Sequence, residues 1–316
     1  MEEVTTPVQV KRAPTWRRFA IYFFAALGLI FSIWIAVLAF QSKQSSFLTF
    51  DADAAIEGVM SSNYGKYSDT QRGWLYVDEQ SKLTYVVTVV QRKKVNGKEG
   101  EELYFITSGH AINSNSGDDA FYGVFQLRNN NGELYEYSDP RRPSGANAVK
   151  PENVHFERLS ADVWGWVVKI TDIETGDGEE ITNTRNVVLA PHKNQIAVLA
   201  QFSAANKVIG SGGCQETERY YAEWRQAQAQ KKAAPASENS NEESFDGEDY
   251  EPPRCTSLEW TYRTEPVVDS TFTPLHITRK PGMEEGVATP AKTWKVMFDP
   301  KSYTYLVPEE LRNAGL

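Results

Sequence analysis

The sequence predicts a mainly β chain, an antiparallel sandwich or barrel or an α+β domain with a large antiparallel sheet, carried outside the cytoplasm on one N-terminal transmembrane helix. Three observations predict it. The 22 residues of 19–40 are apolar and carry no charge. From residue 74 onward, about ten short segments are rich in Val, Ile, Thr, Tyr, Phe and Trp, the residues that fit a pleated, half-buried surface. Helix-forming composition is confined to one or two stretches, so layers of antiparallel strands are the fitting architecture.

At about 1.5 Å per residue, a helix over 19–40 matches the roughly 30 Å hydrocarbon core of a bilayer. A soluble helix of that length would show a polar stripe, and this one offers only Ser32 and the Tyr22 hydroxyl. Lys11, Arg12, Arg17 and Arg18 precede the run, whereas Lys43 alone follows closely before Asp51 and Asp53. The positive-inside rule therefore leaves residues 1–18 as a short cytoplasmic tail and sends the rest across. A cleaved signal peptide is the competing reading, but its apolar region is usually about 7–15 residues long. Within the run, Ala25, Gly28, Ser32, Ala36 and Ala39 are spaced 3, 4, 4 and 3 apart and share one helical face. Small residues on one face permit close helix approach in lipid, so the anchor is a candidate for contact with another membrane helix or a second copy.

Residues 41–71 read as a membrane-proximal linker containing a short helix around 54–60, and residues 72–316 as the extracytoplasmic domain. Strands are expected at 74–77, 83–90 and 103–107, the last two flanking the turn dipeptide Asn96-Gly97. A second hairpin runs 121–127 and 133–137 about the turn at 129–132, followed by a Pro-, Gly-, Arg- and Asn-rich loop to about residue 151. Residues 163–170 form the most apolar strand candidate. Residues 187–189 continue the core, and 195–202 fits strand or helix by periodicity. An exposed helix is expected over 215–234, then an acidic, Ser- and Asn-rich tract over 235–253 too polar to fold. Strands resume at 258–262, 275–278, 293–298 and 303–306.

The formal net charge of -9 argues against nucleic-acid binding, because no basic patch is available to neutralise phosphates. The two cysteines, Cys214 and Cys255, lie on the exported side, where an oxidising compartment favours a disulfide. Closing that loop is worth roughly 3–4 kcal/mol in the chain-entropy model. Two cysteines without a nearby His lack the ligand count for zinc, so no metal or other cofactor is expected. The chain contains no Asn-x-Ser/Thr sequon, in keeping with a bacterial inner membrane and periplasm.

Residues 105–112 around His110 resemble the strand-end histidine segment of trypsin-like serine peptidases. Asp162 before the apolar strand, and Ser211 in Gly210-Ser211-Gly212-Gly213, resemble their aspartate and nucleophile loop, and the order matches. The resemblance implies His110 as base, Asp162 as its orienting carboxylate and Ser211 as nucleophile. Ile209, however, stands where that family places Gly, and about 48 residues separate Asp162 from Ser211, too few for most of a second barrel. His155, His192 and His276 are isolated. Asp118-Asp119 and Asp177-Gly178-Glu179 lack the alternating ligands of a calcium loop.

Trp164, Trp166, Trp260 and Trp294 could form an exposed aromatic row for sugar or fill a core. The layout of short tail, single helix and exported β domain resembles the bitopic inner-membrane subunits of bacterial secretion and conjugation machines. The expected function is therefore a non-catalytic scaffold that binds other membrane or envelope proteins. A glycan- or cell-wall-binding module is the alternative.

Overall fold

The computed structural model describes residues 51–98, 100–112, 120–130, 133–145, 147–176, 179–210, 213–233 and 255–312. The span at 19–40, the small-residue face on it, Ser211 and the acidic tract at 235–253 lie outside them. Among the described residues no helix is long and apolar enough to cross a membrane.

Helix α1 (Ala52–Tyr64) begins where Asp51 caps it, accepting from the Asp53 and Ala54 backbone N–H groups at 2.9 and 3.3 Å. Ile56, Val59, Met60 and Tyr64 recur at helical spacing and form its buried face. The helix stops at Gly65, whose φ of 96° suits glycine. Asp51→Ala is expected to cost about 1 kcal/mol in urea unfolding. No change would show that packing alone fixes this turn.

A six-stranded antiparallel sheet follows, in sequence order: β1 (Tyr67–Ser68), β2 (Gly73–Val77), β3 (Thr84–Asn96), β4 (Glu101–Ala111), β5 (Ala120–Asn130) and β6 (Glu133–Pro143). The second sheet contains β7 (Val154–Arg158), β8 (Trp164–Gly176), β9 (Glu179–His192), β10 (Gln195–Gly210) and β11 (Thr256–Thr264), and extends through β13 (Gly282–Glu284) to β14 (Val287–Thr289). From β11 a branch leads through β12 (Leu275–Arg279) to β15 (Lys292–Val296). A small hairpin of β16 (Phe298–Asp299) and β17 (Thr304–Tyr305) precedes α3 (Glu309–Arg312). Helix α2 (Gly213–Ala233) leaves the end of β10 where an exposed helix was expected, and surface Glu216–Arg219 and Arg219–Glu223 pairs decorate it.

Three cores separate four layers. α1 covers one face of the first sheet through Met60, Tyr64, Phe105, Phe121 and Phe125. The opposite face, carrying Tyr104, Ile106, Tyr122 and Val124, meets Trp166, Val168, Val187 and Leu189 of the second sheet. The far face of the second sheet, carrying Val167, Val188 and Phe202, is closed by Leu275, Ile277, Val296, Tyr305 and Leu311. Each sheet is therefore buried on both sides. That is why Glu102–Ser108 and Phe121–Leu127 are buried without interruption, where a one-sided antiparallel strand would alternate.

The sandwich-or-barrel alternative resolves against a closed barrel. The second sheet curls, helped by register shifts in β10 between Val198 and Ala200 and between Ser203 and Ala205. Its β7 end reaches the segment before β12 only through loop bonds, Ala161 N to Asp269 O and Thr273 N to Leu159 O, both 2.8 Å. In the last layer Glu265 meets His276 Nε2 at 2.6 Å and Lys295 Nζ at 3.0 Å. The His276 bond, then that of Lys295, holds its carboxyl below the usual range.

Candidate binding groove

The residues singled out in the sequence fall in separate places. Cys214, in the first turn of α2, and Cys255, just before β11, stand at disulfide distance, 5.2 Å between Cα atoms, and are bonded. His110 is exposed on β4 opposite Val86 and Ala120. Asp162 sits in the turn before β8, its N–H directed at Ser160 Oγ. Gly210 ends β10 level with Glu179, which pairs with Gly176 at the far end of β8. The 13-residue length of β8 therefore lies between Asp162 and Gly210, roughly 40 Å of strand. The structure does not bring these two together. Trp166 and Trp260 are buried core residues, and Trp164 is stacked on Phe156 at 5.1 Å, so these rings fill layers and form no surface row.

Two cavities on the described surface are candidates for a binding site. One, of about 820 Å³, is lined by Tyr76, Tyr85, Phe121 and Arg141 among others. There the Arg141 guanidinium is turned onto the protein itself, bonding the Tyr76 hydroxyl and lying over that ring at 4.9 Å. The other, of about 730 Å³, runs between α1 and the β1–β2 edge of the first sheet and is the better candidate for a ligand.

Its construction follows from the sequence. β3 carries a bulge, with Val89 opposite Thr107 and Gln91 opposite Ile106, so Val90 is the extra residue. The bulge shifts the alternation by one and puts Val89 and Arg92 on the same face, toward α1. Arg92 can then pair with Asp53 in the first turn of the helix. Ile56 and Val89 supply apolar wall, and Trp74 lies under the Tyr67 ring, edge to face at 4.9 Å. Tyr67 itself is 49% exposed, an aromatic left in water on a two-residue edge strand.

Arg72 stands at the rim, in the β1–β2 turn, with φ of 54° in the left-handed region. A non-glycine residue there costs on the order of 1 kcal/mol and calls for a reason. Part of that reason is the next residue. A Cβ at Gly73 would meet Val86 Cγ1 at 2.7 Å and the Val87 carbonyl oxygen at 2.8 Å, so the chain runs too close to β3 for another residue. Among the described residues, neither Arg72 nor Glu57 on the α1 wall has an ion-pair partner. The groove thus joins an apolar floor, an exposed tyrosine and one uncompensated charge of each sign. Nothing in the sequence marked Tyr67, Arg72 or Glu57, which lie in a polar stretch with no motif, and only the fold gathers them.

The chain matches no protein-family model, no curated protein and no solved structure.

Proposed function

We propose that this chain is a bitopic protein of the bacterial inner membrane, anchored by residues 19–40 with its N-terminus in the cytoplasm. Its periplasmic β-rich domain would act as a non-catalytic scaffold that binds other envelope proteins, as a component of a secretion- or conjugation-like assembly. The observation that carries the protein-binding part is the groove between α1 and the β1–β2 edge, where an exposed tyrosine beside tryptophan and an arginine with no ion-pair partner among the described residues sit beside apolar walls. Aromatic and arginine side chains are the groups on which protein interfaces concentrate their binding energy. The anchor rests on the length, hydropathy and flanking charge of 19–40.

The test is purification of the full chain from its native membranes in mild detergent. A partner should be retained by the wild type and lost at least tenfold with Tyr67→Ser or Arg72→Glu, both exposed and both compatible with an unchanged circular-dichroism spectrum. Gly28→Leu with Ser32→Leu should separately weaken assembly through the helix face. A monomeric chain without a partner, or a partner indifferent to the groove variants, rejects the reading.

A further inference from the structure

We infer that the groove takes an extended peptide segment in which an apolar side chain is flanked by an acidic residue on one side and a basic residue on the other. The inference rests on the protein-binding reading above. Of the four charges at the groove, Asp53 and Arg92 neutralise each other, leaving Arg72 and Glu57. An occupant of one sign satisfies one of these and opposes the other. A fatty acid or an anionic headgroup would meet Arg72 but also Glu57, and a polycation would meet the reverse. A segment bearing both signs complements both walls, and charge complementarity of this kind selects and orients partners.

The walls say what lies between those charges. Ile56 and Val89 are aliphatic, and Trp74 packs edge to face with the exposed Tyr67 ring, so apolar surface lies in the groove beside the two charges. An aliphatic side chain entering beside Tyr67 would bury apolar surface against these walls. Arg72, exposed at the rim in the β1–β2 turn, supplies the positive charge that an acidic residue of such a segment would meet.

The test uses the full chain in mild detergent and fluorescence anisotropy with labelled synthetic peptides. The probe carries Asp-Leu-Leu-Lys within Gly-Ser flanks; one control replaces the two charges with Asn and Gln, and another replaces both leucines with Ser. The probe is expected to bind at least tenfold more tightly than either control. Arg72→Glu and Glu57→Lys should each weaken it about tenfold, and raising the salt toward about 1 M should erase the advantage over the neutral control. Equal binding of the neutral control, indifference to Arg72→Glu, or displacement of the probe by oleate overturns the inference. If the probe fails while Tyr67→Ser still releases the native partner, the protein-binding reading stands and only this segment chemistry falls. If Tyr67→Ser leaves that partner bound, the reading itself has failed.

Discussion

Gly123→Val is expected to destabilise the domain by about 3 kcal/mol, a large share of the 5–15 kcal/mol typical of a folded domain. Gly123 lies on β5 opposite Thr107, next to the register shift between Tyr122 and Val124 that bends the β5–β6 ladder. The Tyr64 hydroxyl from the end of α1 occupies the space its side chain would need. That hydroxyl donates to the Pro140 carbonyl at 2.6 Å and so accepts from Thr107 Oγ1 at 3.0 Å. Burial pushes the phenol well above its ordinary pKa, so the donor stays protonated at any working pH. A Cβ at position 123 would collide with Tyr64 Oη, and it would also meet Thr107 Oγ1 at 2.6 Å and the Pro140 carbonyl at 2.7 Å. The carbonyl is backbone and cannot step aside cheaply. Urea unfolding measures the loss, and hydrogen exchange should show α1 released before the sheets. Tyr64→Phe removes one of the three obstructing atoms, so the double variant should be less destabilised than the sum of the singles by about 1 kcal/mol. Strict additivity, or a loss under 1 kcal/mol for Gly123→Val, would show that this contact does not set how α1 docks.

The strand content was legible because β-branched and aromatic residues cluster in it, and α2 because Glu, Arg, Gln and Ala run together. What was not legible is what pairing alone supplies. Residues 171–176 and 179–186 are largely polar, yet they extend β8 and β9 well past their apolar halves through mutual register. The stretch from 138 to about 151 reads as loop, but Ser138–Pro143 completes β6, and its prolines are tolerated because β6 is an edge strand. Within residues 41–71, read as a linker with a short helix around 54–60, that helix extends to 52–64 as α1, and β1 was not foreseen. Their apolar content is low, and only against the first sheet does the α1 face become core. The disulfide was readable from the count of two cysteines and the expectation that both lie outside the cytoplasm. The groove was not, since its residues come from a helix, a turn, an edge strand and a bulge whose meeting no local pattern encodes.

Arg128→Met is expected to cost about 3–4 kcal/mol, because it leaves the Glu102 carboxylate buried without its cation. Glu102 is 4% exposed, between the two sheets, and Arg128 lies directly across the β4–β5 ladder with Nε 3.0 Å from Glu102 Oε1. This is a charge contact too oblique to count as a hydrogen bond. The other carboxylate oxygen accepts from Tyr104 Oη and Gln126 Nε2, each at 2.7 Å, and Gln126 also reaches Tyr104 at 2.8 Å. Burial, then the neighbouring Glu102 charge, drives the Tyr104 phenol far up, so it stays protonated, donating to Glu102 and accepting from Gln126. A polar network in this low-dielectric layer stabilises when complete and costs heavily when one member is missing. Replacing both charges should therefore do better than replacing one. In Arg128→Met with Glu102→Leu, a flip of the Gln126 amide would turn its Oε1 toward the Tyr104 hydroxyl but leave the amide N–H groups where Oε1 now finds no partner. The double variant is therefore expected about 1–3 kcal/mol below the wild type in urea unfolding, and above Arg128→Met alone. A double variant as unstable as Arg128→Met alone would mean that Arg128 acts through its stacking over Tyr137, 5.6 Å from the ring centre, and not through Glu102. Recovery in the double would place this ion pair among those that align two neighbouring strands in register at little net gain in stability.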